Sequence, residues 1–223
     1  MPPRRRPGQR VLDVIVALGA LVLLSPLMLA VAAWIRLDSP GPVFFRQERV
    51  GRHGRSFRIH KFRSMRDEPG GAPITVGADP RITRVGRWLR EAKLDELPQL
   101  IDVLAGDMSL VGPRPELPRY VALYPPAVRA KVLSVRPGIT DPASIEYRDE
   151  NTLLAQAADP EREYVQVVLP RKLALAQAYV EQILAGGGLA LLSLSQEQIR
   201  RDRNAPVHGM VVVARAPGCI RIR

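Results

Sequence analysis

Cysteine is nearly absent: Cys219 stands alone among 223 residues, which excludes an intramolecular disulfide framework and a cysteine metal cluster. Histidine is hardly more common, and His53, His60 and His208 are too scattered to suggest a zinc site. Lysine is scarce as well. Only Lys61, Lys93, Lys131 and Lys172 contribute to the 33 basic residues, and 22 acidic residues leave a formal net charge of +11. Arginine in such excess suits phosphate-bearing partners, because the guanidinium fork grips phosphate oxygens in pairs. Nucleic acid, anionic lipid and nucleotide all qualify by charge. Aromatic residues make up only 5% and no aromatic-rich or recognition-helix motif occurs, so no nucleic acid partner is expected. At 24.7 kDa the chain suffices for one sizeable domain.

Against these scarcities stands one long apolar run, residues 11–34, interrupted only by Asp13, Gly19, Ser25 and Pro26. As a straight helix it would measure about 36 Å at ~1.5 Å per residue, enough for a hydrocarbon core of ~30 Å. Arg4, Arg5, Arg6 and Arg10 precede the run and Arg36, Arg46, Arg49 and Arg52 follow it, so the positive-inside bias favours neither end for export. Pro26 removes one backbone hydrogen bond and displaces the carbonyl of Val22, while Ser25 can return its hydroxyl to a freed carbonyl. We therefore read residues 1–10 as a basic N-terminal segment and 11–36 as a re-entrant membrane helix broken at Ser25 and Pro26. A straight span, a secretory signal peptide and a buried soluble helix are the alternatives, although the run is longer than the usual signal-peptide core.

A turn cluster at residues 38–42 ends this element, and residues 43–45 and 56–65 flank a turn at 51–54, which predicts a β-hairpin. The hairpin carries Arg46, Arg49, Arg52, Arg55, Arg58, Lys61, Arg63 and Arg66, most of them expected on a solvated or headgroup-facing surface. Lys61 and Arg63 differ, because apolar neighbours would hold them in place for a phosphate. Residues 67–79 read as a loop. Ile82, Val85, Trp88 and Leu89 recur at helical spacing as a core stripe, with Arg81, Arg84, Arg87 and Arg90 mostly on another face.

Residues 90–116 hold the chemistry. Asp95 and Glu96 are adjacent carboxylates where a helix is expected to start, with Pro98 just inside its first turn and Leu94, Leu97, Ile101 and Leu104 on its buried face. At a helix N-terminus the macrodipole would keep a carboxylate ionised and tolerate a phosphate or metal nearby. The same pair could be no more than a helix cap. Downstream, Pro113-Arg114-Pro115 forms a stiff loop with one cation. Residues 141–163 are locally acidic and expected to be solvated, and a helix through Leu173 and Tyr179 stops at Gly186-Gly187-Gly188. Residues 189–223 carry no motif.

KFRSM at 61–65, DPRITRVGRWLR at 79–90, LDELPQL at 94–100, GDMSLVGPRPE at 106–116 and RPGIT at 136–140 together resemble the bacterial sugar transferases. These are small monotopic phosphoglycosyl transferases that move a sugar phosphate from a nucleotide sugar to polyprenyl phosphate. The resemblance, over about residues 5–140, implies an α/β (mixed α+β) fold. Residues 37–188 would be a small catalytic domain of a β-hairpin and amphipathic helices at the cytoplasmic face of the inner membrane. It also implies a UDP-sugar donor, an undecaprenyl phosphate acceptor, a lipid bilayer partner, Mg²⁺, and a place at the first membrane step of exopolysaccharide, O-antigen, capsule or other glycan synthesis. Residue by residue, Asp95 would be the nucleophile, giving a phosphosugar-aspartyl intermediate and UMP. Glu96 would help hold the metal with Asp95 or assist proton transfer, and Lys61, Arg63, Arg90 and Arg114 would bind phosphate or nucleotide. Two departures stand out: Lys93 where many relatives carry serine or threonine, and Asp141-Pro142 where many carry glycine. No motif marks the sugar, and a homodimer would be compatible with the sequence.

Overall fold

The computed structural model describes residues 7–66, 79–147 and 150–184, so the expected 67–79 loop up to residue 78, the three glycines and the C-terminal tail lie outside the described residues. The fold mixes helices with two small sheets, as expected, behind a long apolar N-terminal helix.

That helix, α1 (Pro7–Asp38), runs further at both ends than the apolar pattern alone marks and continues through Pro26. Ser25 Oγ donates to the Val22 carbonyl at 2.8 Å, which is the acceptor that Pro26 leaves without an N–H. Asp13, Ala17, Ala20, Leu21, Met28, Val31 and Ile35, at steps of mostly three and four, form a continuous seam against the rest of the chain. The opposite face is equally apolar and exposed, with Leu23 at 78%. Such a surface fits an apolar solvent rather than water.

Both ends of α1 are tied to the same domain. Arg10 donates to the carbonyls of Val103 at 2.5 Å and Leu104 at 3.0 Å. At the other end Arg63 donates to the carbonyls of Ser39 at 2.7 Å and Pro40 at 2.6 Å, and Asp38 accepts from Val85 N at 3.3 Å.

The hairpin forms as predicted. Strands β1 (Phe44–Val50) and β2 (Ser56–Phe62) pair antiparallel from Phe44↔Phe62 to Val50↔Ser56. His53 (φ 59°) and Gly54 (φ 78°) make the turn between them. β2 stops at Phe62 rather than Met65, because Arg63 is drawn to the end of α1 and Ser64 O accepts from Thr83 N at 3.1 Å.

Helix α2 (Arg84–Glu91) starts at Thr83, whose hydroxyl accepts from Gly86 N at 2.9 Å. Val85 and Leu89 join Val31, Ile35 and Phe62 in one buried cluster. Trp88, expected in the core, is instead half exposed against Trp34, with ring centroids 5.5 Å apart. The Arg84–Glu91 helix needs only Val85, Gly86 and Leu89 to fill its buried face.

After α3 (Gln99–Ala105), strand β3 (Ser109–Val111) pairs parallel with β4 (Gly138–Thr140). Helices α4 (Pro118–Val121) and α5 (Pro126–Val132) connect them. Then come α6 (Pro142–Glu146), α7 (Glu150–Ala155) and α8 (Pro160–Glu163), a π-helical segment (Tyr164–Val168) and α9 (Leu169–Leu184). A second core of Tyr120, Val121, Tyr124, Leu154, Tyr164, Val168 and Leu173 packs these helices together, away from α1.

Gly86 sits so close to Ser64 that a Cβ would overlap the Ser64 carbonyl, a backbone group that cannot rotate away. Gly86→Ala is expected to lower stability by about 1–3 kcal/mol, read as a reduced melting temperature in detergent.

Candidate active site

Lys93, in the left-handed region at φ 57°, turns the chain out of α2 into a 3₁₀ turn, Leu94–Glu96. In such a turn residues three apart align, so Leu94 and Leu97 both reach the α1–α2 cluster while Asp95 and Glu96 fall between them. The expected helix start is thereby corrected. Residues 94–98 close through Leu97 N to Leu94 O at 3.2 Å and Ile101 N to Pro98 O at 3.0 Å, and the α-helix begins only at Gln99. The tighter turn shifts the phase of α3. Its buried face is Gln99, Leu100, Asp102 and Val103, with the expected leucine stripe half-buried.

Asp95 and Glu96 lie in the 3₁₀ turn ahead of α3, among the side-chain charges of Lys61, Arg90 and Arg114. Lys61 Nζ donates to Glu96 Oε1 at 2.7 Å. Arg114 donates to Glu96 Oε2 from Nη1 at 3.2 Å and to Oε1 from Nη2. Burial opposes ionisation of Glu96, but the charges and hydrogen bonds of Arg114 and Lys61 overcome it and hold the carboxyl well below the usual range. Burial also pushes Lys61 down, against the pull of Glu96. In Arg114 the attraction of Glu96 outweighs burial and keeps the guanidinium charged.

Asp95 is 8% exposed, and among the described residues no group donates a hydrogen bond to its carboxylate. Burial raises its pKa more than the nearby charges of Lys61 and Arg90 lower it. The two neighbours thus differ in kind: Glu96 is paired with two cations, whereas the Asp95 carboxyl is raised by burial and accepts no hydrogen bond among the described residues.

Lys61, Asp95, Glu96 and Arg114 therefore come together, with Arg90 acting on Asp95 by charge and reaching Met65 Sδ at 3.5 Å. Arg63 does not join them. It is buried against Ser39 and Pro40, where it satisfies carbonyls at the C-terminal end of α1. No set of three or more metal-ligating side chains converges among the described residues. Two adjacent carboxylates, one accepting no hydrogen bond among the described residues, nevertheless suit Mg²⁺, which is commonly held by one or two carboxylates with water and substrate phosphate.

Several supporting residues escape a reading by motif. Asp141, 2% exposed, accepts from Arg114 N at 3.1 Å and from Ser144 N at 2.7 Å, so it caps α6 and steadies the arginine loop. The acidic segment's first residue is thus buried, not solvated. Arg49 donates to Glu116 Oε1 at 3.1 Å and to Pro115 O at 3.3 Å. Tyr164, at the head of the π-helical segment, donates to Glu116 Oε2. The Asp102 carboxylate bonds both His60 N at 2.8 Å and His60 Nδ1 at 2.6 Å, fixing the strand residue beside Lys61. Only the hairpin register could have signalled Arg49, since positions 45, 47 and 49 share a face with Lys61.

The site is thus a carboxylate pair set among cations, in a chain whose N-terminal helix is long and apolar enough to anchor in a membrane. The family described as bacterial sugar transferase matches residues 4–175, and the chain belongs to that family. It is 48% identical over 141 residues to a UDP-N-acetylgalactosamine-undecaprenyl-phosphate N-acetylgalactosaminephosphotransferase of Aeromonas hydrophila, covering 61% of this chain and 33% of that protein. With a UDP-glucose:undecaprenyl-phosphate glucose-1-phosphate transferase of Escherichia coli (strain K12) it shares 42% over 151 residues, covering 66% and 32%. With the exopolysaccharide production protein PSS of Rhizobium leguminosarum bv. phaseoli it shares 50% over 109 residues, covering 48% and 54%. The chain thus spans about a third of the length of the first two and about half of the third.

Glu96→Gln removes the carboxylate to which both Lys61 and Arg114 donate and is expected to destabilise the metal-free protein at neutral pH by about 2–3 kcal/mol. The sign with pH follows from the depressed carboxyl. Its stabilisation is complete above the ordinary value of 4.5 and is lost as pH falls towards the folded-state value. Melting temperatures of the two proteins measured in chelator should therefore converge as the pH is lowered below that ordinary value.

Proposed function

We propose that the chain is a phosphoglycosyl transferase that moves a sugar 1-phosphate from a UDP-sugar to undecaprenyl phosphate at the cytoplasmic face of the inner membrane. The observation that carries this reading is the contrast within the carboxylate pair: Asp95, buried and without a hydrogen-bond donor among the described residues, beside Glu96 held between Lys61 and Arg114. The relatives' names supply the substrate classes.

In the first step an Asp95 oxygen attacks the sugar-linked phosphorus of the donor. The bond from that phosphorus to the bridging oxygen breaks, and UMP leaves with the electron pair. A phosphosugar-aspartyl ester remains. In the second step a phosphate oxygen of undecaprenyl phosphate attacks the same phosphorus, the acyl phosphate bond breaks, and Asp95 is restored as a carboxylate. Dividing the transfer in two lets one cation-lined site serve both halves. Arg114, Lys61 and Arg90 attract and orient the equatorial oxygens, while Glu96 keeps Lys61 and Arg114 in register. Mg²⁺ held by Asp95, with Glu96 beside it, would neutralise diphosphate charge that repels an incoming carboxylate.

Both ends of α1 tied to one domain, with an exposed apolar face between them, support a helix that enters the inner leaflet and returns rather than one that crosses. The name of the Rhizobium relative favours a role in exopolysaccharide synthesis.

With a panel of UDP-sugars and Mg²⁺ but no acceptor, intact-mass spectrometry should find one added sugar phosphate for the correct donor. Asp95→Asn should abolish the adduct and lower UMP release by about 10³-fold or more. An adduct persisting in Asp95→Asn would refute the assignment.

A further inference from the structure

The apolar face of α1 that packs on the domain and the face that does not are chemically alike. Ala17, Ala20 and Leu21 lie on the seam, while Leu12, Ile15, Val16 and Leu18 are exposed on the same stretch. In lipid, hydrocarbon solvates either face equally well, so apolar contact supplies little preference between an arm folded back on the domain and one extended across the bilayer. A polar contact has to make that choice.

Asp13 is the one acidic residue in the run and is 5% exposed. Its Oδ2 accepts from Ser109 Oγ at 2.7 Å and its Oδ1 from Leu110 N at 3.2 Å. Ser109 N bonds towards the β4 side, to Pro137 O at 2.8 Å, so the next N–H along the strand, that of Leu110, belongs to the free edge of β3. Asp13 covers that edge. One turn earlier Gln9 Nε2 reaches the same Ser109 hydroxyl at 3.3 Å. If the arm extended into the bilayer, the Asp13 carboxylate would lose both donors in a medium that offers no replacement.

We propose that Asp13 is a positioning residue that sets the topology of the membrane helix, holding its N-terminal arm on the edge of β3 so that both ends stay on one side. The inference rests on the re-entrant reading above. Because β3 leads directly into Gly112 and Arg114, the latch also ties the seating of the helix to the strand that carries the arginine loop.

The test uses the full chain with Cys219 replaced by serine and a single reporter cysteine at Arg4 or at Glu48, exposed on β1. Spheroplasts are treated with a membrane-impermeant maleimide. With Asp13 intact both reporters should be protected. In Asp13→Leu the Arg4 reporter should become labelled from outside by about tenfold or more while the Glu48 reporter stays protected. Protection of Arg4 in both backgrounds overturns the role of Asp13 and leaves the re-entrant reading standing. External labelling of Arg4 with Asp13 intact overturns both. Should Asp13→Leu fail to accumulate, Asp13→Asn and Ser109→Ala provide a second measure. Their melting shifts in detergent should be non-additive in the double variant, and additive shifts would refute the latch.

Discussion

Glu96 is where three separate pieces of chain meet. Lys61 comes from β2, Arg114 from the loop after β3, and Glu96 itself from a 3₁₀ turn. Two cations drawn into a partly buried site repel one another, and a shared anion is what permits both. The arrangement keeps two cations side by side while their repulsion is relieved internally. It also commits Glu96 to Lys61 and Arg114, whereas the Asp95 carboxylate accepts no hydrogen bond among the described residues.

A wider set of contacts holds the three pieces at fixed distance. Asp102 secures His60 and hence the strand position of Lys61. Asp141 secures the backbone of Arg114 and begins α6, so a departure from the commoner glycine becomes a structural support. Arg49 and Tyr164 converge on Glu116 directly after the arginine loop. Tyr164 opens a π-helical segment, and Lys172 lies 5.1 Å from its ring centroid. Extra residues in a helical turn re-aim a side chain, which is how the distal helices reach the site.

The long apolar helix and the site share the same walls. α1 packs on α3 and the hairpin through Ala17 and on α2 through Val31 and Ile35, so the elements bounding Asp95 also form the platform that seats the helix. The exposed face of this helix is mostly apolar, as an anchor in an apolar phase requires, so anchoring and site would rest on one platform.

Local signals in the chain carried much of this. The apolar run, the hairpin and the helix after Thr83 each depend on neighbours within a few residues, and periodicity or turn chemistry suffices to mark them, whereas the helix runs on through Pro26. The juxtaposition of Lys61, Asp95, Glu96 and Arg114 was legible through motif order, whereas the phase of α3 was not, because Pro98 and the left-handed Lys93 substitute a tighter turn for the expected helix start. Arg63 and Arg49 show the limit most plainly. Both are arginines of one hairpin, and only the packed structure sends one to the carbonyls of α1 and the other to Glu116. A guanidinium goes to whichever unpaired oxygens the fold brings within reach, and those oxygens belong to residues distant in sequence. Sequence alone thus determined which groups could do the chemistry, and tertiary structure decided which of them meet.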